Sequence, residues 1–375
     1  MDILLSARDC AVPRSNGPGT WAHNVAKHLS ESNEILVHSK MYYDLFRPYE
    51  SLEGYHIFRF PRYPLRLRKY LWPVELFTLY RLTDPDCVLF RIPDAGVLSS
   101  VNQYKKFLSS INVPVIGRFT FSPRSWPNGI STLIGELDAI ICETESQRNY
   151  IKKTYNVTTE ITPIVPNGVD VEKFGQPQPP ANGDPIARQV SSFTDSFENV
   201  YGFVGCIDKY RCVKEIISGF VAYLSSKPSA GLVIAGDGDQ LEDCKQLVRE
   251  FGILDKVLFL GHVDHGKVPY LLSEMDLVFA LSHPEVIDYT TPIKLFEALG
   301  ASIPVIASDG GDFHKYVDES VGILISDHEP ESIAQGIQTV TYRHYQSESF
   351  ERKVRPYSWD SYADRVTNIA QELVN

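Results

Sequence analysis

Apolar residues occur in short runs, separated by segments in which they recur every three or four positions. The runs Ile3 to Ala7, Glu34 to His38, His56 to Phe60, Cys87 to Ile92, Pro114 to Phe119 and Ala139 to Cys142 read as buried strands. A second series repeats the pattern: Tyr201 to Ile207, Leu232 to Ala235, Val257 to Leu260, Leu277 to Leu281, Val305 to Ala307 and Gly322 to Ile325. Strands alternating with helices imply parallel sheets covered on both faces, so the expected fold class is α/β with two doubly wound domains. Between the series lie the turn Val165-Pro166-Asn167-Gly168-Val169-Asp170 and a Pro-rich stretch over 176–185, both poor element formers. The expected domains are therefore residues 1–168 and 169–356. A chain of 375 residues is long enough for two such cores. Trp359, Tyr362, Val366, Ile369 and Leu373 share one face of a last amphipathic helix.

The net charge of −11 lacks the basic footprint of a general nucleic-acid binder. Against that background residues 59–81 stand out. Arg59, Arg62, Arg66, Arg68, Lys69 and Arg81 are interleaved with Phe60, Tyr63, Tyr70 and Trp72, and only Glu75 opposes them. Two readings stay open: contact with an anionic membrane surface, or a solvated helix whose apolar side enters the core. Cys10, Cys87, Cys142, Cys206, Cys212 and Cys244 are scattered without a C-x-x-C pair and read as reduced thiols. With no signal-peptide pattern and no apolar run of about 18 residues, a cytoplasmic protein is expected, with the cytoplasmic membrane face as an alternative site of action.

The candidate chemistry lies in Asp288 to Gly300. Thr290 or Thr291 is placed to cap a helix with Pro292 in its first turn, and Gly300 suits a left-handed position just past its end. Lys294 and Glu297 share one face. Backbone amides at a helix start favour anions, so a diphosphate fits beside Thr291 to Ile293 with Lys294 next to it. Glu297, one turn deeper, would accept hydrogen bonds from sugar hydroxyls. In the first domain Asn16-Gly17-Pro18-Gly19-Thr20 opens a helix, which fits either a plain tight turn or a phosphate approach. Arg91 and Arg118 fall within or at the end of strands, where a charge needs a partner or a ligand. No Asp/His cluster with ligand spacing is visible, so neither metal nor cofactor is expected.

Several motifs occur in a fixed order: Gly17-Pro18-Gly19; Pro166-Asn167-Gly168-Val169-Asp170 with Phe174; Phe203-Val204-Gly205; Ala235-Gly236-Asp237-Gly238; Phe259-Leu260-Gly261-His262-Val263; and Pro292 to Glu297 with Pro304-Val305-Ile306-Ala307. In this order and spacing the chain resembles a retaining GT-B glycosyltransferase of family 4 over nearly its whole length. The resemblance implies two Rossmann-like domains facing a cleft, with a final helix, 357–375, returning to the first. It also implies a nucleotide sugar, with UDP as carrier, on the second domain. The base would lie near His262 and Val263, the ribose on Glu297, and the diphosphate on the Thr290 to Lys294 stretch with Gly17 and Gly19 opposite. The acceptor would be a hydroxyl of a glycan or lipid-linked glycan. Where the family has an Arg and a Lys for the diphosphate, this chain has Cys206 and Arg211, which leaves Lys209 or Lys294 to supply the second cation. The family's acid eight positions before Glu297 is replaced by Tyr289, with Asp288 adjacent, and its first-domain histidines by Arg91 and by Thr120 near Arg118. Asp288, Glu297, Arg118 and Arg91 are thus the candidate catalytic residues. A sugar-nucleotide epimerase and a non-catalytic nucleotide-sugar-binding partner are the alternatives.

Overall fold

The computed structural model describes residues 1–7, 17–41, 47–61, 65–92, 101–119, 129–157, 164–181 and 183–375. The chain divides into two compact units, residues 1–167 with 359–375, and residues 168–358.

The first unit contains a seven-stranded sheet of β1 (Asp2–Ser6), β2 (Glu34–Lys40), β3 (Tyr49–Leu52), β4 (Tyr55–Phe60), β5 (Cys87–Ile92), β6 (Val115–Phe119) and β7 (Ala139–Ile141). Their order is β3-β4-β2-β1-β5-β6-β7, parallel except for β3, which runs antiparallel to β4. Periodicity misses β3 because Tyr49-Glu50-Ser51-Leu52 carries no apolar run. It pairs through the two-residue turn Glu53-Gly54, whose φ values of 36° and 91° suit a tight hairpin.

The helix Gly17–Leu29 buries Trp21, Val25 and Leu29 at the predicted spacing. The final helix, Trp359–Val374, packs against it. Asn33 Nδ2 donates to Thr367 Oγ1 at 3.0 Å, and His28 Nδ1 lies 2.5 Å from Asp360 Oδ1. Both contacts join residues more than 330 positions apart in sequence, which is how the chain end belongs to the first unit.

The basic stretch becomes the end of β4 and the helix Leu65–Thr83. Trp72, Leu76 and Leu79 enter the core, whereas Leu67, Tyr70, Val74, Phe77 and Leu82 are exposed. Two of its charges turn inward. Arg59 is buried and paired with Glu50 at 2.9 Å, so it does not belong to a surface patch. Glu75 is buried against His38 at 3.2 Å. Arg62 lies outside the described residues, as do the side chains of Arg66, Arg68 and Lys69. Among the described residues no helix is long and apolar enough to cross a membrane.

The second unit contains six parallel strands, β8 (Asn199–Val204), β9 (Ala230–Ala235), β10 (Val257–Gly261), β11 (Leu277–Ala280), β12 (Val305–Ser308) and β13 (Gly322–Ile325), ordered β10-β9-β8-β11-β12-β13. The winding reverses between β8 and β11. In an open parallel sheet, ligands bind outside the strand carboxyl ends at such a reversal.

Candidate functional site

The loop after β11 makes a single 3₁₀ turn over Ile287–Tyr289 and leads into the helix Ile293–Gly300. The expected threonine cap does not form. Pro292 itself is the N-cap residue, in an extended conformation with φ −64°, and no side chain caps the helix. Thr291 is buried, and the Thr290 hydroxyl is enclosed without a hydrogen-bond partner. Leu295 N donates to Pro292 O at 3.1 Å, whereas the N–H groups of Ile293 and Lys294 have no carbonyl to reach inside the helix. Pro292 has no N–H, so the anion-facing amides shift one residue later than the sequence suggested. Gly300 also differs from expectation. It is the last helical residue, and the left-handed backbone falls at Ser302, with φ 59°. Gly300 is required by a close approach: a Cβ there would meet Phe174 Cβ and Val169 Cγ2, each at 3.3 Å.

Lys294 points under the end of β8. Its ammonium lies 3.6 Å from the Phe203 ring centre and is shielded from solvent with no hydrogen-bond partner. Gly205, at φ 142°, makes room, since a Cβ there would stand 2.9 Å from Lys294 Nζ. Burial first, and the neighbouring Arg211 guanidinium second, push the Lys294 ammonium well below the usual lysine range. Arg211 Nη1 is likewise enclosed and unpartnered. Cys206 supplies no charge, because desolvation and Asp208 hold its thiol up at about 11. Lys209 is different in kind: it is exposed, pairs with exposed Glu285 at 3.3 Å and lies 4.6 Å over the Tyr210 ring. Of the two lysines considered for the second cation, Lys294 is the one that shares its surroundings with Arg211.

Glu297 is only 6 % exposed, and its Oε1 lies 2.6 Å from His265 Nε2. The His265 ring lies 5.9 Å from that of Phe174, itself buried. Sequence spacing gave no reason to single out His265, which is 32 positions from Glu297. Near the end of β10 Val263 is buried and His262 exposed. Asp288 is half-buried, while Tyr289 is 7 % exposed and counts with the core.

In the first unit Arg91 and Arg118 are register partners on β5 and β6. Arg118 is 1 % exposed and already committed. It donates from Nε to Tyr362 OH at 3.0 Å and from Nη2 to Asn167 Oδ1 at 2.7 Å, with Glu143 Oε1 3.1 Å away. Its guanidinium also stacks 4.4 Å over Trp21, and Arg91, 4 % exposed, stands 5.9 Å from the same ring. The geometry makes Arg118 an internal tie, a role that its strand position did not reveal. Gly17 and Gly19 open the first helix, while Asn16 and Thr120 lie outside the described residues.

One described group, His28, Glu31 and Asp360, brings ligand-type atoms within 4.8 Å of one another. At 2.5 Å the His28 and Asp360 atoms form a direct hydrogen bond, too short for both to bind one ion at about 2 Å each. A cavity of about 700 Å³ at the amino-terminal edge of the first sheet is lined by Asp84, Asp86, Glu136 and Asp138, which would repel an anion.

The model for Glycosyltransferase Family 4 matches residues 15–173, and that for Glycosyl transferases group 1 matches residues 188–355. An uncharacterized glycosyltransferase of Methanocaldococcus jannaschii is 27 % identical over 242 residues, 63 % of this chain and 58 % of that protein. The chain thus spans less than two thirds of that curated relative's length. Sucrose-phosphate synthase from Thermosynechococcus elongatus superposes with a TM-score of 0.78 at 15 % identity, covering 100 % of this chain and 99 % of that one. Anabaena HepE in complex with UDP and glucose gives 0.71 at 14 % identity, covering 100 % of both. With two doubly wound sheets, parallel but for the edge strand β3, and two family models that match successive segments of the chain, it has the GT-B fold and belongs to the group 1 glycosyl transferases of family 4.

Proposed function

We propose that the protein transfers a sugar, with retention of anomeric configuration, from a nucleoside diphosphate sugar to a hydroxyl of a glycan or lipid-linked acceptor, and that the carrier is UDP. The observation that carries this reading is the pair of enclosed, unpartnered cationic groups, Lys294 Nζ and Arg211 Nη1, at the winding reversal of the second sheet. Burial and the Arg211 guanidinium both disfavour a charged Lys294, and an anion bound beside them would relieve that cost. A leaving diphosphate gains negative charge as its bond to the sugar breaks, so donors fixed in advance favour the transition state over the ground state. The first-turn amides of Ile293 and Lys294 add to that field, and Glu297 serves the ribose. HepE, whose structure contains UDP and glucose, supports the choice of carrier. The exposed Leu67, Tyr70, Val74 and Phe77 beside a basic sequence support a lipid-linked acceptor at the cytoplasmic membrane face. No step in this reading calls on a metal ion.

The test is a thermal-shift panel of UDP-, GDP- and ADP-sugars, followed by turnover with the sugar that binds. At about 100 times its dissociation constant the donor adds roughly 2.7 kcal/mol of stability. Absence of stabilisation by any of the three overturns the donor assignment. Binding without turnover in the presence of membrane extract favours the non-catalytic alternative.

A further inference from the structure

We propose that His265 is the positioning residue that orients Glu297 toward the donor ribose and thereby sets the preference for ribose over deoxyribose. This rests on the reading of Glu297 given above and concerns a residue for which neither motif nor spacing offered a role. An ionised Glu297 carboxylate only accepts hydrogen bonds, so at 2.6 Å the proton lies on His265 Nε2 and the imidazole donates. Glu297 Oε1 is thereby engaged, while Oε2 makes no hydrogen bond among the described residues and is left for the sugar hydroxyls. A carboxylate on a free two-bond stem would lose rotamer entropy on ordering around the ribose. One already clamped has lost it beforehand.

His265 is itself held from three sides. Asp264 Oδ1 accepts from Gly266 N at 2.8 Å and fixes the 3₁₀ turn His265–Lys267. Val263, two residues before His265, is buried in the core, and the Phe174 ring lies 5.9 Å from the imidazole. Phe174 Cβ also lies where a Cβ on Gly300 would meet it, so one buried residue touches both the helix that carries Glu297 and the histidine that orients it. The arrangement is a supporting hydrogen bond with its own support, which is what a site needs to hold a ligand group within a fraction of an ångström.

The experiment is calorimetric titration of the full chain with whichever of UDP, GDP and ADP binds, and with its 2′,3′-dideoxy counterpart. It compares wild type, Glu297→Ala, His265→Ala, His265→Gln and the double alanine variant. Loss of a charge-assisted bond predicts that Glu297→Ala weakens the ribonucleotide about tenfold and leaves the dideoxynucleotide unchanged. His265→Ala should show the same selective loss, smaller in size, and the double variant no more than Glu297→Ala alone. His265→Gln, whose amide can still donate, should recover most of it. Equal weakening of both nucleotides by His265→Ala would mark a general structural role and overturn the proposal, as would no weakening of either. If Glu297→Ala fails to separate the two nucleotides, the ribose reading itself falls. If Glu297→Ala separates them and His265→Ala does not, only the role of His265 falls.

Discussion

The two α/β units place cations at the same topological position, the carboxyl ends of their parallel strands, and Arg118 of the first is used in the opposite way to Lys294 and Arg211 of the second. In the first unit Arg118 is saturated from within by Tyr362, Asn167, Glu143 and Trp21. In the second, Lys294 and Arg211 are enclosed but keep donor atoms without partners. The first arrangement spends charge on holding the chain together. Asn167 is the last residue before the crossing out of the unit, and Tyr362 lies just after the return, so one guanidinium ties down both passages. The second arrangement stores charge for something not yet present. A strand-end arginine is therefore no indicator of a site until its partners are known, whereas an unpartnered one is.

The sharpest way to break this comparison is Arg118→Ala. It leaves Glu143 as an uncompensated buried carboxylate and removes donors from Asn167 and Tyr362, so the unfolding free energy should fall by about 3 to 5 kcal/mol. Chemical denaturation of wild type and variant measures it. A catalytic Arg118 would instead leave stability nearly intact and abolish turnover, and that outcome would reverse the assignment made here.

Lys294→Met should do the reverse. Replacing an enclosed, unpartnered ammonium by an apolar chain of similar length is expected to stabilise the fold by about 1 kcal/mol while weakening nucleoside diphosphate binding at least tenfold. The sign of the pH dependence follows from the lowered pKa of Lys294. Between its folded value and the unfolded value near 10.4 the unfolded chain binds more protons, so wild-type stability rises with pH across that window. The advantage of Lys294→Met should accordingly be largest below the folded value of Lys294 and fade as pH rises from there toward about 10.4. An advantage that stays constant with pH would mean that Lys294 is charged and solvated in the folded protein.

The strands were legible because runs such as Ala230 to Ala235 and Leu277 to Ala280 are buried on both faces, a property that composition records directly. The edge strand β3 was not, since one half-exposed antiparallel strand of four mixed residues carries no such run. At the site, the helix Ile293–Gly300 and the shared face of Lys294 and Glu297 were readable, but its start was not. A capping threonine and a proline compete for the same turn, and the proline's fixed φ won. Gly300 looked like a helix stop because glycine serves two purposes, left-handed backbone and close approach, that sequence does not distinguish. The fate of Arg118 and the role of His265 were invisible for a different reason. Their partners lie 244 and 32 residues away in sequence, and only the fold brings them within hydrogen-bond distance.

The smallest effect concerns Lys209, which lies on the same loop as Arg211 and was an equal candidate for the missing cation. Its ammonium and the Glu285 carboxylate are each more than half exposed, and such pairs contribute little because water screens them and both long chains must be ordered. Lys209→Ala should therefore leave the thermal midpoint unchanged within about a degree and weaken nucleoside diphosphate binding by at most about threefold at low salt. At 1 M salt, where the screening length is about 3 Å, that difference should vanish, while the loss caused by Lys294→Met should largely persist because its ammonium is shielded. Titrations of both variants at the two salt concentrations make the comparison. A Lys209→Ala loss as large as that of Lys294→Met, and equally resistant to salt, would move the second cation of the diphosphate site to the loop and leave Lys294 as a structural neighbour of Phe203.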